Sequence, residues 1–170
     1  MRIQLALKVI LFTVLVPGTV VVCVPYLLLR QSGALGWPAV SARTVFGSFL
    51  GLCGAGLYAH CVWAFAVRGQ GTPAPFDPPK VLVVEGVYKR TRNPMYLGVL
   101  CILLSEAMLL GSTLILIYAG IVFVSFHLFV LLYEEPHLRR QYGKVYMDYC
   151  RAVPRWWFAR RPFNGENRAA

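Results

Sequence analysis

Residues 95–133 read MYLGVLCILLSEAMLLGSTLILIYAGIVFVSFHLFVLLY. Almost every residue of this segment is apolar, and a Gly111-Ser112 pair divides it into two stretches of helical length. Because two residues suffice only for a tight turn, the stretches should fold back on each other as a helical hairpin. Each comes close to the roughly 20 apolar residues that a membrane-spanning helix needs. The segment therefore predicts two membrane helices, Met95–Leu110 and Thr113–Tyr133.

Two further long apolar runs lie before the hairpin, at Val9–Leu29 and Val45–Val67. A cleaved signal peptide is an alternative for the first run, because Arg2 and Lys8 precede it and Ser32-Gly33-Ala34 has the small residues of a cleavage site. However, the run is longer than the apolar part of a typical signal, and another membrane-like run follows it. We therefore predict an all-α integral membrane protein with four transmembrane helices, plus a cytoplasmic interfacial helix near the C-terminus.

The composition supports this class. Of 170 residues, 58% are hydrophobic and only 14% are charged, and the mean hydropathy is +0.59. This balance is too apolar for a small soluble domain, and it excludes disordered, collagen-like and disulfide-stapled secreted chains. The five cysteines are scattered without a C-x-x-C pair, so they predict neither a metal site nor a disulfide framework.

The positive charge is distributed as the positive-inside rule requires. The chain has 17 Lys and Arg against 7 Asp and Glu, a formal net charge of +10. With four helices, all of these basic residues except Arg30 and Arg43 fall on one side of the membrane. Both termini and the loop between the second and third helices are therefore predicted to be cytoplasmic. The charge then implies anionic headgroups, not nucleic acid, as its partners.

Two polar segments lie on the predicted cytoplasmic side. The loop Arg68–Asn93 carries four prolines, and a connection of this length in a compact chain usually has a function. After Pro136, apolar residues recur at helical spacing while basic residues take the other faces, which predicts a helix lying on the membrane surface. Its aromatic anchors would be Trp156, Trp157 and Phe158. The apolar stripe consists of Leu138, Tyr142, Val145, Tyr149 and Val153.

Two motifs flank the hairpin. Residues 85–98 read EGVYKRTRNPMYLG and residues 132–138 read LYEEPHL; Tyr142-Gly143, Tyr146, Tyr149 and Val153-Pro154 follow. In this order the chain resembles the isoprenylcysteine carboxyl methyltransferase and phospholipid methyltransferase superfamily. The resemblance covers roughly Gly69 to Pro154. Either motif alone would be weak, but the ordered pair on both sides of a helical hairpin is fairly specific.

The resemblance implies an integral membrane enzyme that transfers a methyl group from S-adenosylmethionine to a lipid or lipidated acceptor. The cofactor would bind on the cytoplasmic side, and a bacterial cytoplasmic membrane is the expected location. One membrane domain is expected, with variable helices in residues 1–67, the methyltransferase core in residues 68–154 and a cytoplasmic tail in residues 155–170. The sequence leaves the oligomeric state open.

The resemblance also implies site residues. The candidate catalytic residues are Arg92, Glu135 and His137. Arg92 suits the cofactor carboxylate as a bidentate fork, although a headgroup or a Glu is an equal partner for it. The adjacent carboxylates of Glu134 and Glu135 have an alternative to a role in the site, which is pairing with Arg92, Arg139 or Arg140. The cofactor-binding residues implied are Lys80, Val81, Leu82, Val83, Tyr88, Asn93, Pro94, Met95, Tyr96 and Glu134.

Two differences between this sequence and the pattern of the superfamily bear on the chemical class of the methyl acceptor. Many prenylcysteine-type members have His where this chain has Asn93, and an Arg one turn before the first Glu where this chain has Val130. A carboxylate acceptor is therefore less favoured than a phospholipid amine, for which His127 and His137 are candidate bases. The alternatives are a nicotinamide-dependent membrane reductase of the sterol-reductase type and a non-catalytic membrane protein that retains the fold.

Overall fold

The computed structural model of the chain describes residues 11, 15–32, 40–64, 82 and 84–164. Within these ranges all regular secondary structure is helical. A single 3-10 turn, Gly86–Lys89, precedes the third helix in this part of the chain. The helices are α1 (Leu15–Gln31), α2 (Ala42–Ala64), α3 (Pro94–Leu110), α4 (Thr113–Tyr142) and α5 (Lys144–Ala152).

Two of these helices, α2 and α4, are long and apolar enough to cross a membrane, whereas α1 and α3 are shorter apolar helices. Both long helices expose large apolar side chains on their outer faces. Examples are Leu52 and Trp63 on α2, and Ile121 and Leu132 on α4, all more than half exposed. Apolar faces of this extent are typical of a surface that contacts lipid. The all-helical membrane class is supported, while four spans remain a prediction.

Glycines hold α2 against α3. A Cβ atom on Gly54 would lie 2.8 Å from the backbone oxygen of Gly98, so only the absence of a side chain permits this approach. Ser105 of α3 donates a hydrogen bond of 2.7 Å to the carbonyl oxygen of Gly47 on α2. Small residues and hydroxyl groups at helix contacts are the usual basis of close packing between membrane helices. The two helices therefore pack antiparallel as a rigid pair.

The predicted hairpin turn is confirmed. Gly111 ends α3 with a φ of +61°, a left-handed conformation that glycine adopts without strain. Ser112 then caps α4, because its hydroxyl oxygen accepts a hydrogen bond of 3.3 Å from the N–H of Ile115. Side chains of α3 and α4 form a shared apolar core. Its buried members are Val99, Leu100, Leu103, Ala119 and Val122.

Two π-helical turns occur in the described chain, and each ends two residues before a proline. Thr19–Cys23 precedes Pro25 in α1, and Val130–Glu134 precedes Pro136 in α4. A proline ring clashes with the carbonyl group four residues earlier in a regular α-helix, and it donates no hydrogen bond. The wider π turn relieves both problems. Helix α4 consequently continues past the predicted end at Tyr133 and reaches Tyr142.

The prediction of one continuous helix after Pro136 is wrong, whereas its placement at the membrane surface remains a prediction. Residues up to Tyr142 belong to α4, and Gly143, with a φ of +54°, separates them from α5. Of the five predicted stripe residues, Val145 alone is exposed, and its neighbour Tyr146 is buried in its place. The stripe packs on the protein itself. Buried Tyr146, Tyr149 and Val153 contact Leu82, Val84, Leu138, Tyr142, Cys150 and Phe163.

Residues 153–164, which follow α5, form a segment that we call the C-terminal strap. It lies across the loop before α3 and is held there by backbone hydrogen bonds. The N–H of Arg92 donates to the carbonyl of Pro154 at 3.1 Å, and the N–H of Ala159 donates to the carbonyl of Arg90 at 2.7 Å. The strap therefore joins the far end of the chain to the first motif.

Candidate functional site

The two motifs meet at one end of the helix bundle. Tyr96 lies in the first turn of α3, and Glu134 ends the π turn of α4. The Tyr96 hydroxyl donates a hydrogen bond of 3.0 Å to Oε2 of Glu134. Both side chains are half-buried. A carboxylate held by one phenol in this position keeps further acceptor capacity for a ligand.

Glu135 faces a different set of partners. Its carboxylate is 3% exposed and receives two hydrogen bonds from Arg155, of 2.6 Å from Nε and 3.0 Å from Nη2. Nη1 of Arg92 lies 3.0 Å from Oε1, and Nη2 of Arg139 lies 3.6 Å from Oε2. A buried carboxylate is tolerated only with such compensation. We call Glu135 with Arg92, Arg139 and Arg155 the arginine clasp.

The clasp also fixes the charge state of Arg155. The hydrogen bond to Glu135 raises the pKa of Arg155 above its usual value, so this guanidinium stays positively charged. Arg92 donates in addition to Sγ of Cys150 at 2.8 Å. Its Nε atom is buried without a hydrogen-bond partner among the described residues. Three guanidinium groups around one carboxylate leave the clasp with a net positive charge.

Aromatic rings surround the Tyr96–Glu134 pair. The ring of Tyr96 lies 4.6 Å from that of Phe126 and 6.5 Å from that of Trp156, measured between centroids. The ring of Phe123 lies 5.4 Å from the indole of Trp156 in an edge-on arrangement. The indole N–H of Trp156 donates to Nδ1 of His127 at 3.0 Å. We call Tyr96, Phe123, Phe126 and Trp156 the aromatic wall.

The loop before α3 is held rigidly beneath the strap. Tyr149 of α5 donates a hydrogen bond of 2.6 Å to the backbone carbonyl of Tyr88, and Nδ2 of Asn93 donates to the carbonyl of Arg155 at 3.1 Å. Tyr88 is 8% exposed. Burial, with smaller contributions from Cys61 and Glu134, raises the pKa of its hydroxyl well above the usual range. Tyr88 is therefore neutral and lies within electrostatic reach of Glu134.

The structure brings several of the expected cofactor-binding residues together. Pro94 is buried at the start of α3, Met95 is half-buried beside it, and Tyr88 and Asn93 lie in the loop just before them. Leu82 packs instead against the α5 cluster. The other residues of that set, Lys80, Val81 and Val83, lie outside the described residues.

The three candidate catalytic residues lie in different surroundings. Arg92 and Glu135 pair with each other inside the clasp, which was one of the alternatives left open by the sequence. His137 is exposed on α4, and its ring stacks on that of Tyr133 with a centroid separation of 6.1 Å. His127, the other candidate base, accepts the hydrogen bond from Trp156.

Sequence reasoning missed Arg155 as part of the site and assigned Trp156 to the membrane surface. Both belong to the strap, and no periodic pattern marked either of them. Trp157 and Phe158, the other expected anchors, are exposed at 79% and 57%. Glu135 offered a signal that could have found Arg155. A carboxylate that is buried needs positively charged partners, and Arg155 is one of the arginines near the end of the chain.

The family comparison bears on this arrangement. The sequence model of a family described as phospholipid methyltransferase matches residues 42–145, which is more than half of the chain. The chain belongs to the phospholipid methyltransferase family. No curated protein and no solved structure gives a significant match. The expected membership of the wider superfamily is confirmed.

The family indicates a membrane methyltransferase that acts on lipid-type substrates. The matched region begins with the first residue of α2 and ends just inside α5, so it contains Tyr96, Glu134 and three members of the aromatic wall. Arg155 and Trp156 lie beyond it. The candidate site is thus built from the family's matched region together with a strap that follows it.

Proposed function

We propose that this phospholipid methyltransferase family member transfers a methyl group from S-adenosylmethionine to a lipid acceptor at the cytoplasmic face of a membrane. The observation that carries the proposal is the hydrogen bond between Tyr96 and Glu134. It joins the two motifs that the resemblance connects with the cofactor, although 38 residues separate them in the chain. The proposal includes four transmembrane helices with both termini in the cytoplasm.

The residues present fit the chemistry of the cofactor. Glu134 offers a carboxylate oxygen to a ribose diol or an ammonium group, and Tyr96 offers an aromatic face. The first turn of α3, at Met95 and Tyr96, presents backbone N–H groups that have no partner within the helix. These groups favour a ligand carboxylate, as does the positive charge of Arg92 nearby. S-adenosylmethionine supplies the sulfonium-bound methyl group.

The chain's own contribution is alignment and exclusion of water. An in-line methyl displacement consumes the sulfonium charge and demands few catalytic side chains, so correct orientation accounts for most of the rate. We assign Glu135 and Arg92 a positioning role, because the Glu135 carboxylate is taken up by guanidinium groups. His137 remains our candidate for contact with the acceptor headgroup, because it is exposed near the predicted membrane surface.

A non-carboxylate acceptor is favoured. Val130, which stands where many prenylcysteine-type relatives have Arg, is 1% exposed and lies in the π turn one helical turn before Glu134. A buried apolar side chain provides no cation for an acceptor carboxylate. We therefore propose an amine-bearing phospholipid as the acceptor class.

Calorimetry on the detergent-purified protein tests the cofactor assignment. We expect micromolar binding of S-adenosylmethionine and S-adenosylhomocysteine and no binding of a nicotinamide cofactor. Glu134→Gln should weaken S-adenosylmethionine binding by roughly tenfold, which corresponds to one charge-assisted hydrogen bond. Asp148→Asn on the exposed surface of α5 is the matched control and should bind like the unmodified protein.

Equal affinity of the Glu134→Gln and unmodified proteins, with equal thermal unfolding midpoints, would refute the assignment of Glu134. A labelled-methyl assay on phosphatidylethanolamine and on a prenylcysteine then separates the acceptor classes. Methylation of the prenylcysteine alone would refute the amine proposal.

A further inference from the structure

The aromatic wall and the carboxylate of Glu134 lie side by side, and both are groups that attract a cation. Three half-buried rings and the more exposed ring of Phe123 lie around the first turn of α3 and the inner face of α4. The carboxylate of Glu134 is hydrogen-bonded to one of these rings. The faces of aromatic rings carry negative potential that attracts a cation, and an adjacent carboxylate adds negative charge when it is ionised.

Trp156 is the member of this wall that lies outside the family's matched region. Indole provides the strongest cation–π surface among the side chains. Its position is not left to hydrophobic packing alone, because its N–H donates to Nδ1 of His127 and its ring meets the edge of Phe123. A tryptophan that only anchored the chain in lipid would not need a partner on α4.

The two residues before Trp156 fix the strap at this point. Arg155 is held by two hydrogen bonds to Glu135, and its backbone carbonyl accepts a hydrogen bond from Asn93. The carbonyl of Pro154 accepts a hydrogen bond from the N–H of Arg92. Trp156 therefore has a defined location relative to Tyr96, and the clasp is the device that secures it.

We propose that Trp156 of the C-terminal strap completes a cation-recognition surface with Tyr96 and Glu134, and that this surface selects the positively charged group of a ligand over its neutral counterpart. The inference rests on the proposed function for the identity of that group. Two sources share the required chemistry, namely the sulfonium of the methyl donor and the ammonium headgroup of the acceptor.

The first experiment uses a probe that does not depend on methyl transfer. Phe replaces Trp37, Trp63 and Trp157, which leaves Trp156 as the only tryptophan. Its fluorescence is then followed during titration with choline and with 3,3-dimethylbutan-1-ol, the neutral analogue of the same shape. We expect saturable quenching by choline and at least tenfold weaker interaction of the neutral analogue. Equal responses to the two compounds would overturn the proposal even if the protein binds no S-adenosylmethionine.

The second experiment identifies the source of the cation in the otherwise unmodified protein. Trp156→Leu is compared with Trp157→Leu, since Trp157 is 79% exposed on the same strap. If the donor is the cation, Trp156→Leu should weaken S-adenosylmethionine roughly 2- to 30-fold and leave S-adenosylhomocysteine, which lacks the sulfonium, nearly unchanged. If the acceptor is the cation, the KM for phosphatidylethanolamine should rise by a similar factor while donor affinity stays constant.

Trp156→Phe retains a π face and should recover most of the lost selectivity in either case. A purely structural role for Trp156 would instead weaken S-adenosylmethionine and S-adenosylhomocysteine equally, or would lower only the thermal unfolding midpoint. Either result would overturn the proposal. Absence of binding of both compounds to the unmodified protein would refute the proposed function, and the choline titration would still decide the role of Trp156.

Discussion

Replacement of Arg155 by Met removes the main partner of the buried Glu135 while keeping much of the side-chain volume. Arg155 is 27% exposed and makes two charge-assisted hydrogen bonds to a carboxylate that is 3% exposed. Such bonds contribute about 1.5–3 kcal/mol each. The loss of stability is smaller than the sum of these bonds, because Arg155 is partly exposed and because Arg92 and Arg139 still contact Glu135. We therefore expect the free energy of unfolding to fall by about 2 kcal/mol.

The appropriate assay is reversible unfolding in mixed micelles of a mild detergent and sodium dodecyl sulfate, with circular dichroism as the readout. Glu135→Gln should cost about 3 kcal/mol, because three guanidinium groups then lose their carboxylate. In the double variant the two losses should not add, and the coupling energy should be about 1.5 kcal/mol. Arg151→Met is the matched control and should cost less than about 0.5 kcal/mol, since Arg151 is 80% exposed and forms a surface pair with Asp148.

Equal destabilisation by Arg155→Met and Arg151→Met would refute the reasoning, as would strictly additive losses in the double variant. In either case the clasp would not hold the strap, and the location of Trp156 would need another explanation.

Three further substitutions test the packing around the site by the same unfolding assay. Gly54→Ala should lower the free energy of unfolding by about 1–3 kcal/mol, because the added Cβ would meet the Gly98 carbonyl. Its control, Gly56→Ala, has open space around it and should be neutral or slightly stabilising, so equal effects of the two variants would argue against close α2–α3 contact. Gly143→Ala should cost about 1–2 kcal/mol from its φ of +54° alone, and a neutral result would contradict the break between α4 and α5. Tyr149→Phe should lower the free energy of unfolding by about 1 kcal/mol and weaken S-adenosylmethionine binding, because it removes the hydrogen bond to the Tyr88 carbonyl. If neither stability nor binding changed, this hydrogen bond would be dispensable.

Local pattern predicted the helices well. Apolar runs bounded by polar segments have few alternatives to helices in a membrane, where every backbone group needs an internal partner. The hairpin at Gly111-Ser112 followed because a two-residue connection permits little else. The superfamily resemblance located Tyr96 and Glu134, and their hydrogen bond shows that the two motifs meet.

Helix ends were predicted less well. The sequence predicted that the fourth membrane helix ends at Tyr133, but a π turn accommodates Pro136 and α4 continues to Tyr142. Four of the five residues of the apolar stripe after Pro136 lie in one cluster, yet the helix that carries them is interrupted at Gly143. Periodicity assumes one uninterrupted helix, so it did not predict this break.

The sequence by itself determined the class of the protein, its helices and the two motifs, because these depend on neighbouring residues and on the solvent that they require. Only the tertiary structure decided which of the adjacent carboxylates meets which partner. Glu134 faces Tyr96, whereas Glu135 faces Arg92 and Arg155. The partners of each carboxylate depend on where the strap packs against the loop before α3. Hydrogen bonds between residues about 60 positions apart hold the strap there, and contacts of this kind produce no periodic pattern in the sequence.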